Sequence, residues 1–167
     1  IEEGHLRGIE VHAWMNPYRG LVSTQIEVDS GHITKMLPSA TRAYGTQLWM
    51  DPGAPEVRAH ILDVVRDVLT RYDVDGIHFD DYFYPYPVAG ETFDDASTFA
   101  AYTTGGGALG REDWRRSNVD ALVREAFELS AKTKSNVRFG VSPFGIYRPG
   151  SPAGITGLDA YATLYCD

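Results

Sequence analysis

A single cysteine, Cys166, excludes any internal disulfide. Positive charge is also scarce: 15 Lys and Arg against 23 Asp and Glu give a formal net charge of −8. Phosphate binding is built on clustered Lys and Arg, so nucleic acid is excluded as a partner. Two short basic groups, Arg115-Arg116 and Lys132/Lys134, read as solvated faces of a helix. No apolar run approaches the length of a membrane span. No internal repeat or low-complexity tract occurs, no signal peptide is visible, and no strand runs into a Gly-rich phosphate turn. Ser142 lacks a G-x-S-x-G context, which gives a serine hydrolase little support. His12 and His78 show no metal-ligand spacing; both read as core histidines, and neither metal nor cofactor is expected.

What remains is an ordinary globular composition, 43% hydrophobic and 23% charged, long enough for one core. Residues 1–7 read as the end of a helix, and residues 8–14 alternate as a strand that runs into the loop Asn16-Pro17-Tyr18-Arg19-Gly20. Residues 21–50 show no period and read as a long loop with helical turns. Pro55 and Glu56 open a helix whose apolar face is Val57, Ile61, Val64, Val65, Val68, Leu69 and Tyr72. After a turn at 73–76, Ile77-His78-Phe79 forms a strand that ends in Asp80-Asp81-Tyr82. Residues 83–110 read as a second long loop, and 112–133 as a helix with Val119, Leu122, Val123, Ala126 and Phe127 on its buried stripe. Residues 137–141 make a third strand, ending in Ser142-Pro143-Phe144-Gly145; a further helix is expected to begin in the remainder.

Strand and helix alternate, which is the grammar of a parallel sheet. Long loops follow strands and short turns follow helices, so a (β/α)8 TIM-barrel is predicted, present as a partial barrel of about three βα units. A doubly wound sheet is the competing fold. Residues 1–167 read as an internal fragment of one barrel domain.

The chemistry concentrates at Asp80 and Asp81, at the mouth of the central strand. Side chains alternate along a strand, so both carboxylates share a pocket only if the strand ends at Asp80. A carboxylate pair is the tool of glycoside hydrolysis: one group protonates the leaving oxygen, the other attacks or guides the attacker. Crowding raises one pKa and keeps a proton available. A turn cap and a hard-cation site are the competing readings. Rings surround the pair: Tyr82, Phe83, Tyr84 and Tyr86 follow it, and Trp14, Tyr18 and Tyr147 follow the other strands. Flat rings with polar tips bind sugar faces. For Phe83 and Phe144 core packing is the better reading; for Trp14 and Tyr82 the two stand level. Pro85 and Pro87 stiffen the run as a platform. Asn16 and Arg19 can bind substrate oxygens, and Arg19 can instead pair with Asp80 or Asp81.

The blocks RGIEVHAWMNPYR, DPGAPEVRAHILDVVRDVLTRYDVDGIHFDDYFYP, DWRRSNVDALV and VRFGVSPFGIYR resemble the glycosyl hydrolase-like 10 domain of bacteria. The likeness spans nearly the whole chain. It implies a (β/α)8 barrel in exported or lipid-anchored envelope proteins, one of which hydrolyses peptidoglycan strands stripped of their peptides. An extracytoplasmic location follows from the resemblance alone, as do further strands on both sides. Matching positions are His12, Trp14, Asn16, Arg19, Asp80, Asp81, Tyr82, Asp113, Arg115, Arg116, Asn118, Ser142 and Phe144. Asp51 departs from the Asn expected before Pro-Gly, a change expected to affect only a turn.

The expected function is hydrolysis of an N-acetylated polysaccharide by acid-assisted cleavage at Asp80 and Asp81. Substrate contacts are expected from His12, Trp14, Asn16, Arg19, Tyr82, Tyr84, Tyr86, Ser142 and Tyr147. No carboxylate ends the third strand. Either a carboxylate beyond Asp167 completes the pair, or the substrate's own acetamido oxygen attacks. The alternatives are a non-catalytic carbohydrate-binding barrel and a metal-dependent deacetylase.

Overall fold

The computed structural model describes residues 1–166. A short helix α1 (Glu2–His5) leads into β1 (His12–Met15), which begins later than the alternation from Gly8 predicts. The segment read as a periodless loop folds into a small antiparallel sheet: β2 (Arg19–Leu21), β3 (Thr41–Tyr44) and β4 (Gln47–Met50), in the order β2-β4-β3. The one-turn helix α2 (Ile33–Met36) and a 3₁₀ turn (Pro38–Ala40) bridge its first two strands. These strands have three or four residues each, too few for a period to show.

Helix α3 (Pro55–Arg71) follows, with Pro55 in its first turn. It leads to β5 (Gly76–Phe79). The second expected loop contains α4 (Ala96–Thr104), which buries none of its own residues and so carries no amphipathic signal. Then come α5 (Arg111–Thr133), β6 (Arg138–Val141) and α6 (Ala160–Thr163).

Strands β1, β5 and β6 form a parallel sheet with β5 in the middle, and Trp14, His78 and Gly140 lie in register. One face, through Ala13, Met15, Ile77, Phe79, Phe139 and Val141, joins the apolar core. Val57, Ile61, Val65 and Leu69 from α3 and Val119, Leu122 and Ala126 from α5 complete it, and the two helices pack on each other. Val64, Tyr72 and Phe127, expected on the buried stripes, are exposed.

The other face carries His12, Trp14 and His78. Among the described residues neither histidine joins the core: His12 is exposed and His78 half-buried. The His12 ring lies over Gly76 on the next strand, where an added Cβ would come within 2.5 Å of it.

The basic pair of α5 is also misread by the sequence pattern. Arg115 and Arg116 are both buried. Arg115 pairs with Asp95 at 2.6 Å; Arg116 pairs with Asp113 at 2.6 Å and donates to the Tyr161 carbonyl. Asp51 does more than shape a turn. It is fully buried, caps Gly53 N–H at 2.8 Å, accepts from Thr98 at 2.8 Å and pairs with Arg42 at 2.9 Å. Burial pushes its carboxyl above the ordinary range, against the pull of those partners.

Candidate functional site

Strand β5 ends at Phe79, so Asp80 and Asp81 fall in the turn just beyond it. Asp80 N–H still donates to the Met15 carbonyl at 3.3 Å, which ties the turn to the end of β1. The Asp80 carboxylate is buried and held from two sides. Asn16 Nδ2 donates to Oδ2 at 3.1 Å, and Tyr82 N–H donates to Oδ1 at 3.2 Å. The Asn16 amide is fixed in turn, because its Oδ1 accepts the Arg19 N–H at 3.0 Å. Two neighbouring strand ends therefore converge on one carboxylate.

Asp81 is half-buried and accepts a hydrogen bond from the Tyr86 hydroxyl. Burial raises the Tyr86 hydroxyl well above its ordinary range, and the bond to Asp81 raises it further. Tyr86 thus keeps its proton as the donor. Its ring packs against Tyr82 at 5.4 Å and edge-on to Phe144 at 5.9 Å between centroids. Tyr82 also meets Trp49, at 6.3 Å, and carries the Arg19 guanidinium over its face at 4.5 Å. Arg19 stacks on a ring instead of pairing with either aspartate.

On the open face of the sheet, Trp14 is 72% exposed and lies edge-on to His78 at 5.9 Å. His78 Nε2 meets Ser142 Oγ at 2.6 Å, just past the end of β6. The structure therefore gathers Asn16, Arg19, Asp80, Asp81, Tyr82 and Tyr86 in one linked set, and Trp14, His78 and Ser142 in a second on the same sheet. His12 sits at the start of β1, two residues deeper than Trp14, with Glu10 3.6 Å away.

Two expected contacts fall elsewhere. Tyr84 is buried against Phe93 and Tyr165, with its hydroxyl 3.5 Å from Asn118; desolvation raises that hydroxyl far above its ordinary range. The chain bends at residues 83 and 84, and the Tyr84 ring turns to the core with Phe83 while Tyr82 and Tyr86 stay half-buried. Tyr147 packs on Tyr161 at 5.7 Å, near the start of α6. Phe144, read as a core ring, is only half-buried and contributes to the Tyr86 side of the site. Trp49 is the residue that sequence reasoning missed, because its strand was not recognised. Among the described residues no three His, Cys, Asp or Glu side chains converge as a metal site.

The family model for glycosyl hydrolase-like 10 matches residues 1–167. The chain is 40% identical over 175 residues to the glycosyl hydrolase YngK of Bacillus subtilis (strain 168), covering 100% of this chain and 34% of that one. It is 37% identical over 181 residues to the glycosyl hydrolase DigH of Escherichia coli (strain K12), covering 100% and 40%. The chain thus spans well under half the length of these relatives. Among solved structures, it resembles alpha-L-fucosidase isoenzyme 2 from Paenibacillus thiaminolyticus, with a TM-score of 0.58 at 16% identity, over 89% of this chain and 22% of that one. It also resembles the GH36 alpha-galactosidase AgaA from Geobacillus stearothermophilus, with a TM-score of 0.51 at 14% identity, over 84% and 18%. These likenesses establish the fold: the parallel sheet and its helices are a partial (β/α)8 barrel.

Proposed function

The chain belongs to the glycosyl hydrolase-like 10 family, and from that premise we propose that it carries the acid pair of a glycoside hydrolase acting on an N-acetylated cell-wall polysaccharide, such as a denuded murein strand. The observation that supports this most is the fixing of Asp80 at the C-terminal end of the middle strand by Asn16 from the next one. In a (β/α)8 barrel, that end holds the reacting groups. An extracytoplasmic location accords with a cell-wall substrate and is part of this proposal.

The partners of the two aspartates support different work for each. Both Asp80 oxygens accept from N–H donors, and neither donor can reverse its role to receive a hydrogen bond from a protonated carboxyl. Asp80 is thus the fixed acceptor, with lone pairs left to take an acetamido N–H from the substrate. Asp81 faces a hydroxyl, which donates to a carboxylate and accepts from a carboxylic acid by turning its O–H. Asp81 is accordingly the member that gives and regains a proton.

The step then runs as follows. Asp80 orients and polarises the acetamide, whose carbonyl oxygen attacks the anomeric carbon. The glycosidic C–O bond breaks, and its oxygen takes the proton from Asp81. Water opens the cyclised sugar and returns a proton to Asp81. The exceptions to the two-carboxylate rule include this route.

In the full-length protein, Asp80→Asn and Asp81→Asn are each expected to lower turnover of glycan strands by about 10²- to 10⁴-fold. Binding should largely survive, because the loss falls on the transition state. A thiazoline analogue of the cyclised acetamide should inhibit strongly; weak inhibition would return the nucleophile's role to a carboxylate. Full activity in both Asn variants would remove the pair from catalysis.

A further inference from the structure

Beside Asp81, the β3–β4 hairpin and the 82–88 segment enclose a cleft of about 340 Å³. Gln47 and Trp49 line one wall, and Tyr82, Pro85, Tyr86 and Val88 line the other. Resting on the reading of Asp80 and Asp81 above, we infer that this cleft is a binding subsite for a further sugar unit of a polymeric glycan, next to the one that is cleaved.

Three observations carry this. The first is continuity. The Tyr86 ring lines the cleft while its hydroxyl donates to Asp81, so cleft and acid share one side chain. The second is chemistry. Rings and two prolines supply apolar surface for a sugar face, while Gln47 supplies an amide. The indole N–H of Trp49 donates to Gln47 Oε1 at 3.0 Å, which fixes that amide and leaves its Nε2 as the end able to donate to a hydroxyl. The third is preorganisation. Val88 N–H donates to the Tyr44 hydroxyl at 2.9 Å, and Gly45 N–H donates to Glu91 at 2.7 Å. Hairpin and segment are tied across the cleft before any ligand arrives, which spares the ordering cost of binding. The volume lies at the small end of the range for ligand clefts, suited to one sugar unit and not to a folded partner.

The test uses the full-length protein, with long denuded glycan strands and the shortest fragment it cleaves as paired probes. The subsite makes the long strand the better substrate. Val88→Trp fills the cleft by bulk, and Gln47→Ala removes its donor. Each should lower kcat/KM for the long strand by about tenfold, through KM, and erase its advantage over the short fragment. An equal loss on both probes, or no loss on either, overturns the inference. Calorimetry of the long strand on Asp80→Asn protein, with and without Val88→Trp, reads the cleft without turnover. An affinity that Val88→Trp leaves unchanged overturns the subsite even if the aspartates prove catalytic. Weakened affinity sustains it even if they do not.

Discussion

Asp95 has no exposed surface and accepts four guanidinium hydrogen bonds, two from Arg111 and two from Arg115. It joins the start of α4 to α5, and through the Tyr165 hydroxyl on Arg115 it reaches the end of the described chain. Removing one partner from such a set strands a buried charge. Asp95→Ala is expected to destabilise the fold by about 3–5 kcal/mol, measured by urea unfolding. A change within experimental error would mean that the arginines find water instead. This cluster explains why the site was only partly legible at the residue scale. Asp80, Asp81, Asn16, Tyr82 and Tyr86 could be placed because they follow recognisable strands. Arg115 and Arg116 could not, because a charge on an amphipathic helix normally marks its solvated face, and the acid that buries Arg115 lies 20 residues away in an unrecognised stretch. Tyr84 failed for a related reason: composition shows that a ring is present, while its direction depends on a turn that ends within two residues.

At the scale of elements, α3, β5, α5 and β6 are legible because each has a period supported by burial: 3.6 for the helices, and short apolar runs for the strands. The β2-β4-β3 sheet and α4 are not, since one is made of minimal strands and the other of a helix without a buried face. The joint between these elements is tight at Gly53, in the turn ahead of α3. A Cβ there would come within 2.4 Å of the Trp114 ring, which is itself buried in the first turn of α5. Gly53→Ala must therefore displace a packed indole. It is expected to cost about 1–3 kcal/mol in urea unfolding, as overpacking does elsewhere. An unchanged midpoint would show that the α3–α5 joint has slack.

At the scale of the molecule, the parallel sheet has two outer strands, β1 and β6, each pairing with β5 on one side only among the described residues. Unpaired strand edges promote association with other chains. Residues 1–167 produced alone are expected to self-associate at micromolar concentration, and to turn over glycan far more slowly than a chain of the relatives' full length. Sedimentation and a turnover assay run side by side check this; a monodisperse, equally active 167-residue product would show that the site is complete within these units. The barrel reading itself was accessible from sequence, because alternation and the placement of long loops after strands survive in any three consecutive units.

The open face of the sheet has an optical consequence. Of the three tryptophans, Trp49 and Trp114 are 1% and 2% exposed, while Trp14 is 72% exposed and stands two residues before Asn16. The emission of the chain therefore divides into a shielded, short-wavelength part from the two buried indoles and a long-wavelength part, open to soluble quenchers, from Trp14 alone. Whatever comes to cover that face, whether further strands or a sugar, would report itself as a loss of quenching and a shift to the blue, with no label attached.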